Sequence, residues 1–171
     1  MQQDILKETI IIGIDPGSIY TGYGIIHEKG TQQTCIAHGR IHPTQKNTSE
    51  RLHTIYQSLN EIIQTYQPHE MSIEQVFFHI NAQSALKLGQ ARGAALIAAA
   101  QHALPVSEYS AKQVKQAVVG YGAANKAQVQ HMITTILRLK KTPETDAADA
   151  LAIALCHCQS RRLARKLSVK A

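Results

Sequence analysis

The stretch TIIIGIDPGSIYTGYGIIHEK, residues 9–29, decides the fold. Its first part, TIIIGID (9–15), is a short apolar run of mostly β-branched residues, which predicts a buried strand. The Pro-Gly-Ser sequence at 16–18 predicts a turn, and TGYGIIHEK (21–29) predicts a second strand. Residues 32–42 predict a third strand after a further turn. We therefore expect a sheet that begins as an antiparallel meander.

The rest of the chain alternates helical and strand patterns. The helices are recognised by capping residues and by apolar positions three or four apart. The order βββαβαβααα predicts an α/β fold, a five-stranded mixed sheet flanked by helices on both faces. The predicted elements are a helix capped by Thr48 or Ser49 and ending near Tyr66, a strand over 70–75, a helix from Asn81 to about His102, a strand over 105–109, and helices over 110–118, over 125–139 and from Thr142-Pro143 onwards.

Length and composition exclude several classes of protein. With 171 residues, 44% hydrophobic and 18% charged, the chain fits one globular domain and not a disordered, collagen-like or coiled-coil protein. No apolar run approaches the length of about 18 residues that a membrane span requires, and the first ten residues lack the pattern of a signal peptide. The three cysteines lack metal-site spacing. We expect a cytoplasmic protein with no membrane partner.

Positive charge is concentrated in two segments of a chain whose net charge is +6. Residues 87–141 carry eight basic side chains against one acid, and residues 161–171 carry five basic side chains and no acid. A basic segment beside acids is typical of proteins that hold a polyanion near a metal. A solvated face with a disordered tail gives the same pattern, so charge alone leaves both interpretations open.

Four carboxylates lie among apolar neighbours. Asp15 and Glu74 each end a predicted strand, while Asp146 and Asp149, three residues apart, share one face of the last helix. Charged groups are rarely buried unless they are paired or bind a metal. Carboxylates without clustered cysteine or histidine favour Mg²⁺ or Mn²⁺. Each acid also has a structural explanation: a turn for Asp15, an arginine partner for Glu74, and the helix dipole for Asp146.

A convergent cluster of this kind suits phosphodiester hydrolysis. Two metal ions about 4 Å apart can activate a water and stabilise the leaving 3′-oxygen. Asp15 is best placed to bridge both ions because its strand is central. Glu74 would hold one ion, and Asp146 and Asp149 would hold the other.

Five blocks of sequence, in this order and spacing, resemble the RuvC family of bacterial Holliday junction resolvases. Together they span about residues 11–157 and form a far more specific pattern than one short motif. The blocks are GIDPGSIYTGYG (13–24), IEQVF (73–77), NAQSALKLGQARG (81–93), VKQAVVG (114–120) and DAADALAIALCH (146–157).

The resemblance implies an RNase H-like fold. We expect a nuclease domain over 1–158, and the charge of the last residues predicts a basic tail over 159–171 whose order the sequence leaves open. The resemblance also implies a Mg²⁺-dependent homodimer that nicks two strands of like polarity in a four-way DNA junction, leaving 5′-phosphate and 3′-hydroxyl ends. The branch-migration motor RuvA–RuvB would be a partner in recombination and repair. The family's catalytic and metal-binding acids fall on Asp15, Glu74, Asp146 and Asp149, its base-contacting aromatic on Phe77, and its DNA-binding lysines on Lys115 and Lys126.

The helix over 81–102 is the predicted dimer contact. GAALIAAA (93–100) is apolar on every side, which predicts burial on more than one face. Its small residues would permit close approach of a second helix, in a two-fold arrangement that supplies two equivalent sites. These residues are Ala94, Ala95, Ala98 and Ala99.

Three other functions share parts of the pattern. The hairpin over 13–24 also resembles the phosphate-binding hairpin of actin-like kinases and ATPases, but such enzymes need two domains of this kind. A junction-binding module without catalysis would not need the four intact acids. An RNase H that cleaves RNA–DNA hybrids would share those acids.

Overall fold

The computed structural model describes residues 8–75 and 82–168. The chain forms five strands and five helices in these ranges, in the predicted order. No helix in the described part of the chain is long and apolar enough to cross a membrane. The elements are β1 Thr9–Asp15, β2 Thr21–Lys29, β3 Gln32–Ile41, α1 Thr48–Tyr66, β4 Glu70–Glu74, α2 Ala82–Gln101, β5 Val106–Tyr109, α3 Ala111–Val119, α4 Lys126–Ile136 and α5 Thr145–Ser168.

The strands form one mixed sheet in the order β3-β2-β1-β4-β5, so β1 is central as predicted. β1, β2 and β3 pair antiparallel, which confirms the meander, whereas β4 runs parallel to β1 and β5 parallel to β4. Successive residues of β1 face opposite sides of the sheet. Ile12 and Ile14 pack with α1 and α2, while Ile11 packs with α3, α4 and α5. Helices cover both faces of the sheet, as the sequence predicts.

Two helix starts differ from the sequence prediction. The N-cap of α1 is Asn47, whose side chain accepts a hydrogen bond from the Ser49 main-chain nitrogen at 3.0 Å. The assignment of the cap to Thr48 or Ser49 is therefore wrong, because asparagine one residue earlier satisfies the same donor. The last helix begins at Thr145 and not at Thr142-Pro143. The predicted cap at Asn81 lies outside the described residues.

Within this chain the second helix, α2, is buried on one side only. The expectation of burial on more than one face depends on a second chain and stays a prediction. Ala94, Ala95, Ala98 and Ala99 are all buried in the core that α2 shares with α1 and the sheet. They cannot line a contact with another chain, because they face this chain's own core. On the other side Ile97 is 62% exposed.

The last helix continues through most of the segment that the sequence assigned to a basic tail. Residues 159–168 are helical, and two of their arginines reach back to the sheet. Arg161 and Arg162 donate to opposite oxygens of Glu28, at 2.7 and 2.9 Å, and that carboxylate is only 1% exposed. A buried carboxylate held by two guanidinium groups fixes the far end of α5 against β2.

Candidate active site

Glycines at the centre of the sheet let α5 lie directly on β1 and β2. Gly13 pairs with Gly24, and Asp15 pairs with Gly22, so the three glycines and Asp15 share one face of the sheet. A Cβ atom at Gly13 would lie 2.9 Å from the Cβ of Ala154, and one at Gly24 would lie 2.7 Å from the side chain of Leu151. No side chain larger than hydrogen fits between these strands and the helix.

This close contact sets the position of the acids on α5. A Cβ atom at Gly22 would lie 2.5 Å from the carbonyl carbon of Asp146. The first turn of α5 therefore lies over the strand position directly opposite Asp15. Asp149 follows Asp146 on the same face of the helix, one turn further along.

The parallel pairing of β1 and β4 brings the two strand acids together. Ile14 lies opposite Ile73 in the register, so Asp15 and Glu74 end neighbouring strands at the same edge of the sheet. Carboxyl ends of parallel strands are where active sites are commonly found in open α/β sheets. The sequence prediction that these acids converge is consistent with this register.

Three of the four acids line one cavity of about 230 Å³. Asp15, Glu74 and Asp149 contribute from three different elements, and the ammonium-bearing side chains of Lys115 and Lys126 complete the polar lining. Ala111, Val114, Val129 and Ile153 form apolar walls. Asp146 does not line this cavity, and it lies in the first turn of α5, where the helix dipole also stabilises a carboxylate.

Burial and mutual repulsion disfavour ionisation of these carboxyl groups. Burial raises the pKa of Asp15 well above its ordinary value, and the charges of Glu74, Asp149 and Asp146 raise it further, in that order. Burial is also the largest cause of the raised pKa of Glu74 and of Asp149. Such a cluster of carboxylates favours a cation at the site, because a positive charge would offset the repulsion.

Lysine charges already offset part of this repulsion. Lys126 Nζ lies 3.4 Å from Asp149 Oδ2, and its charge lowers the pKa values of Asp15, Glu74 and Asp149. Its side chain is 76% exposed, so the pair is weak and the ammonium group can turn toward a ligand. Lys115 acts on Glu74 and Asp149 in the same direction.

The carboxylates supply the oxygen ligands of a Mg²⁺ site, but they are not arranged here to coordinate an ion. Carboxylate oxygens are the ligands that Mg²⁺ and Mn²⁺ prefer. Within residues 8–75 and 82–168, however, no three histidine, cysteine, aspartate or glutamate side chains are grouped closely enough to hold a metal ion. An arginine partner does not explain Glu74, because Arg92 donates to its main-chain oxygen and pairs with the carboxylate of Glu108.

Comparison with known proteins identifies the family. The profile of the family described as crossover junction endodeoxyribonuclease RuvC matches residues 11–157. The crossover junction endodeoxyribonuclease RuvC of Coxiella burnetii (strain Dugway 5J108-111) is 63% identical over 158 residues, which cover 92% of each chain. The chain belongs to the RuvC family. It is therefore a crossover junction endodeoxyribonuclease, a Holliday junction resolvase, as the resemblance implied.

Other RuvC proteins agree in sequence and in structure. The RuvC of Cronobacter sakazakii is 54% identical over 160 residues, covering 94% of this chain and 92% of that protein. Thermus thermophilus RuvC in complex with Holliday junction substrate superimposes with a TM-score of 0.86 at 35% identity, covering 91% of this chain and 96% of that chain. The yeast mitochondrial Holliday junction resolvase Ydc2 has a TM-score of 0.61 at 14% identity and supports the fold alone. The RNase H-like fold is confirmed.

One candidate residue of this RuvC-family chain lies outside the described residues. Phe77 falls in the unassigned stretch 76–81, so its role stays a prediction. The sequence analysis predicted no functional role for the glycines on which α5 packs. Their spacing could have indicated it, because Gly13, Gly22 and Gly24 lie on the same face of the sheet as Asp15.

Proposed function

We propose that this resolvase hydrolyses phosphodiester bonds in the cavity lined by Asp15, Glu74 and Asp149, with Asp146 beside it. Two Mg²⁺ ions, or Mn²⁺ in their place, would activate the attacking water and stabilise the leaving 3′-oxygen. The supporting observation is that half-buried carboxylates from β1, β4 and α5 line one cavity and have raised pKa values. The products would carry 5′-phosphate and 3′-hydroxyl ends.

The four acids differ in what they can contribute. Asp15 interacts electrostatically with all three other acids, which supports a central position between two cations. Glu74 would hold one cation from the β4 side, and Asp149 would hold the other from α5. Asp146 acts on Asp15 and Asp149 through its charge and would join the second group. Rotation of these side chains toward the cations would complete the ligand set.

The decisive experiment replaces Asp15 with asparagine, which removes the charge while nearly preserving the shape. We expect Asp15→Asn to lower the cleavage rate of a synthetic four-way junction by at least about 100-fold, by analogy with the loss of one group that stabilises a transition state. Junction binding should persist or become tighter, because the repulsion of phosphates falls. The matched control is Glu50→Gln, an exposed carboxylate in the first turn of α1.

Three further measurements define the outcome. Wild-type cleavage should require Mg²⁺ and stop with EDTA, and it should favour the junction over an RNA–DNA hybrid. Mg²⁺ should raise the melting temperature of the wild type more than that of Asp15→Asn, which tests metal binding without catalysis. Cleavage by Asp15→Asn at the wild-type rate would disprove the assignment of the site.

Lys115 and Lys126 are proposed to bind DNA phosphates at the mouth of the cavity. Both line it, and their charge offsets that of the acids. Phosphate contacts give affinity and salt dependence but carry little sequence information. Lys126→Ala should weaken binding to all junction sequences and reduce the salt dependence by about one ion.

Phe77 is proposed to stack on an unpaired base near the junction centre. The proposal rests on the family resemblance and on its position shortly after Glu74, at the carboxyl end of β4. Base stacking on an aromatic side chain contributes about 1–3 kcal/mol per base. Phe77→Ala should lower junction cleavage while leaving the melting temperature nearly unchanged. A sharp fall in melting temperature with normal cleavage by the folded protein would place Phe77 in the core instead.

The proposed dimer contact is a stripe on the exposed side of α2 formed by Leu86, Gly89, Gly93 and Ile97. Leu86 and Ile97 are 63% and 62% exposed, and a Cβ atom at either glycine would meet nothing within 4 Å in the described structure. Small residues between exposed apolar ones permit close approach of a second helix. A two-fold dimer would supply two equivalent sites for symmetric cleavage.

Sedimentation tests this contact. Ile97→Glu should convert the dimer to a monomer at micromolar concentration. Leu163→Glu, at a position 60% exposed on α5, is the matched control and should leave the dimer intact. A wild-type monomer that stays monomeric on junction DNA would contradict the proposal.

Three remaining assignments follow from the family and the composition. RuvA–RuvB would deliver the junction. A cytoplasmic location is supported by three free cysteines, Cys35, Cys156 and Cys158, because reducing compartments preserve free thiols. The nuclease domain would end near residue 158, with the rest of α5 as its basic extension.

A further inference from the structure

A second concave surface lies across the β1–β2 turn from the catalytic cavity. It is a groove of about 520 Å³ between the N-terminal halves of α1 and α2, and the turn residues Ser18 and Ile19 form part of its wall. Its lining includes three basic side chains, Lys46, Arg51 and Lys87. No described aspartate or glutamate lines it. We call this surface the α1–α2 groove.

Arg51 fixes the shape of the α1–α2 groove. Its guanidinium donates to the main-chain oxygens of Pro43 at 2.7 Å, Gln45 at 3.1 Å and Ser18. These bonds tie the β1–β2 turn to the loop that precedes α1. The acceptors are neutral carbonyls, so the positive charge of Arg51 is not cancelled and contributes to the potential in the groove.

Two lysines of the groove carry positive charge that no carboxylate among the described residues neutralises in an ion pair. Lys46 and Lys87 are exposed, and neither takes part in any of the ion pairs formed among residues 8–75 and 82–168. Lys87 lies about 100° around the helix axis from Leu86, at an α-helical 3.6 residues per turn. It therefore points away from the proposed dimer stripe and toward α1.

Gln45 also lines the groove but does not offer its side-chain oxygen to a ligand. That oxygen, Oε1, is buried and has no hydrogen-bond partner among the described residues. The feature of the groove that fits a phosphate ligand is therefore the positive charge of Lys46, Arg51 and Lys87.

The groove and the catalytic cavity are close but lie on opposite faces of the sheet. Ser18 is three residues from Asp15, so their Cα atoms are at most about 11 Å apart, the reach of three extended residues. The cavity is walled by α3, α4 and α5, whereas the groove lies between α1 and α2. One DNA segment would have to bend sharply over the β1–β2 turn to occupy both. The diverging arms of a four-way junction present two separate segments.

We propose that the α1–α2 groove binds the phosphate backbone of a second junction arm, different from the arm cleaved in the adjacent cavity. The proposal rests on the junction being the substrate and is independent of the metal site. It assigns Lys46 and Lys87 to phosphate contacts and Arg51 to holding the groove open. Recognition of two arms at once would favour a junction over a linear duplex.

The first test measures binding in EDTA, where no cleavage occurs, to a four-way junction and to a linear duplex over a range of salt concentrations. Each lost phosphate contact should reduce the salt dependence on the junction by about 0.9 and lower affinity at 0.1 M salt about 8-fold. Lys46→Ala with Lys87→Ala should therefore weaken junction binding about 60-fold and leave duplex binding nearly unchanged. The control is Lys166→Ala, an exposed lysine about 30 Å from Asp146 along α5.

The second test maps the contact directly. Lys46→Cys would be combined with junctions that carry a disulfide tether on a single backbone phosphate, so that the new thiolate displaces the tether's leaving thiol. Wild-type protein, with its half-buried Cys35 and buried Cys156 and Cys158, is the background control. We expect cross-links to an arm that is not cleaved in the adjacent site.

Each outcome is decisive. Unchanged junction affinity in the double variant, equal losses on junction and duplex, or cross-links confined to the cleaved arm would overturn the proposal. If the wild type itself shows no preference for the junction, the function as a resolvase fails, which is a different result. Cross-links to a second arm together with the junction-specific loss of affinity would establish the groove.

Discussion

Replacing Gly22 with alanine should inactivate the enzyme, although Gly22 has no side chain that could take part in catalysis. The new Cβ would lie 2.5 Å from the carbonyl carbon of Asp146 and 3.2 Å from its Cβ. Carbon atoms in contact lie about 3.5–4.0 Å apart, so the first turn of α5 would have to retreat by about 1 Å. The φ angle of Gly22 is not in the left-handed region, so the backbone itself accepts alanine.

The expected effects on catalysis and stability differ in size. Displacement of a reacting group by about 1 Å can cost about 100-fold in rate, and Asp146 and Asp149 would both move with the helix. Overpacking typically costs about 1–3 kcal/mol of unfolding free energy. A folded protein with a melting temperature lowered by several degrees and a cleavage rate lowered about 100-fold is the predicted outcome.

The assay compares single-turnover cleavage of a four-way junction with thermal unfolding of the same samples. Gly39→Ala is the matched control, because the atoms nearest its added Cβ belong to the far end of the Tyr23 side chain, with the hydroxyl at 2.8 Å, and that side chain can move. It should retain most activity. If Gly22→Ala is folded and cleaves at the wild-type rate, close packing of α5 on β2 does not position the acids, and the reasoning is refuted.

Three other perturbations test the electrostatics. Glu28→Gln should lower the free energy of unfolding by about 1–3 kcal/mol, since Arg161 keeps Glu70 as a partner and Arg162 is partly exposed; chemical denaturation measures this. Burial lowers the pKa of His157, so the stability it contributes as a neutral group is complete above pH about 6.5 and declines as the pH falls; this decline should be smaller in His157→Gln. Because burial and the neighbouring carboxylates raise the pKa of Asp15, Asp15→Asn should raise the melting temperature at pH 7 without metal, and an unchanged value would contradict this cost of ionising Asp15.

The strands and the acids could be predicted because local pattern determines them. The apolar segment TIIIGID must be buried. An acid that ends such a strand lies at the end of the sheet, whichever strands pair with it. These features need no knowledge of side-chain packing. The parallel pairing of β4 with β1, which brings Glu74 to Asp15, is not determined by the order of the elements and is seen only in the structure.

Features that depend on which element packs against a given face of a helix could not be predicted. The alanines of α2 looked equally apolar on all sides, and only packing against α1 and the sheet decides that Ala94 and Ala98 face inward while Ile97 faces outward. The basic residues after 158 resembled a solvated tail because their partner, Glu28, is more than a hundred residues away in the sequence. Long-range pairing of this kind leaves no local signal.

The structure separates the part of α5 that performs chemistry from the part that secures it. Near its start, Asp146 and Asp149 join a cluster in which burial, and after it mutual repulsion, raises the pKa values of Asp15 and Asp149 and so opposes folding with both groups ionised. About 22 Å further along the helix, at 1.5 Å per residue, Arg161 bridges Glu28 and Glu70, at 2.7 and 2.8 Å. A helix held at its far end and seated on glycines along its length cannot swing its acids away from Asp15 to relieve that repulsion. Protonation, the charges of Lys115 and Lys126, or bound cations must then offset the repulsion, and the proposed chemistry uses bound cations.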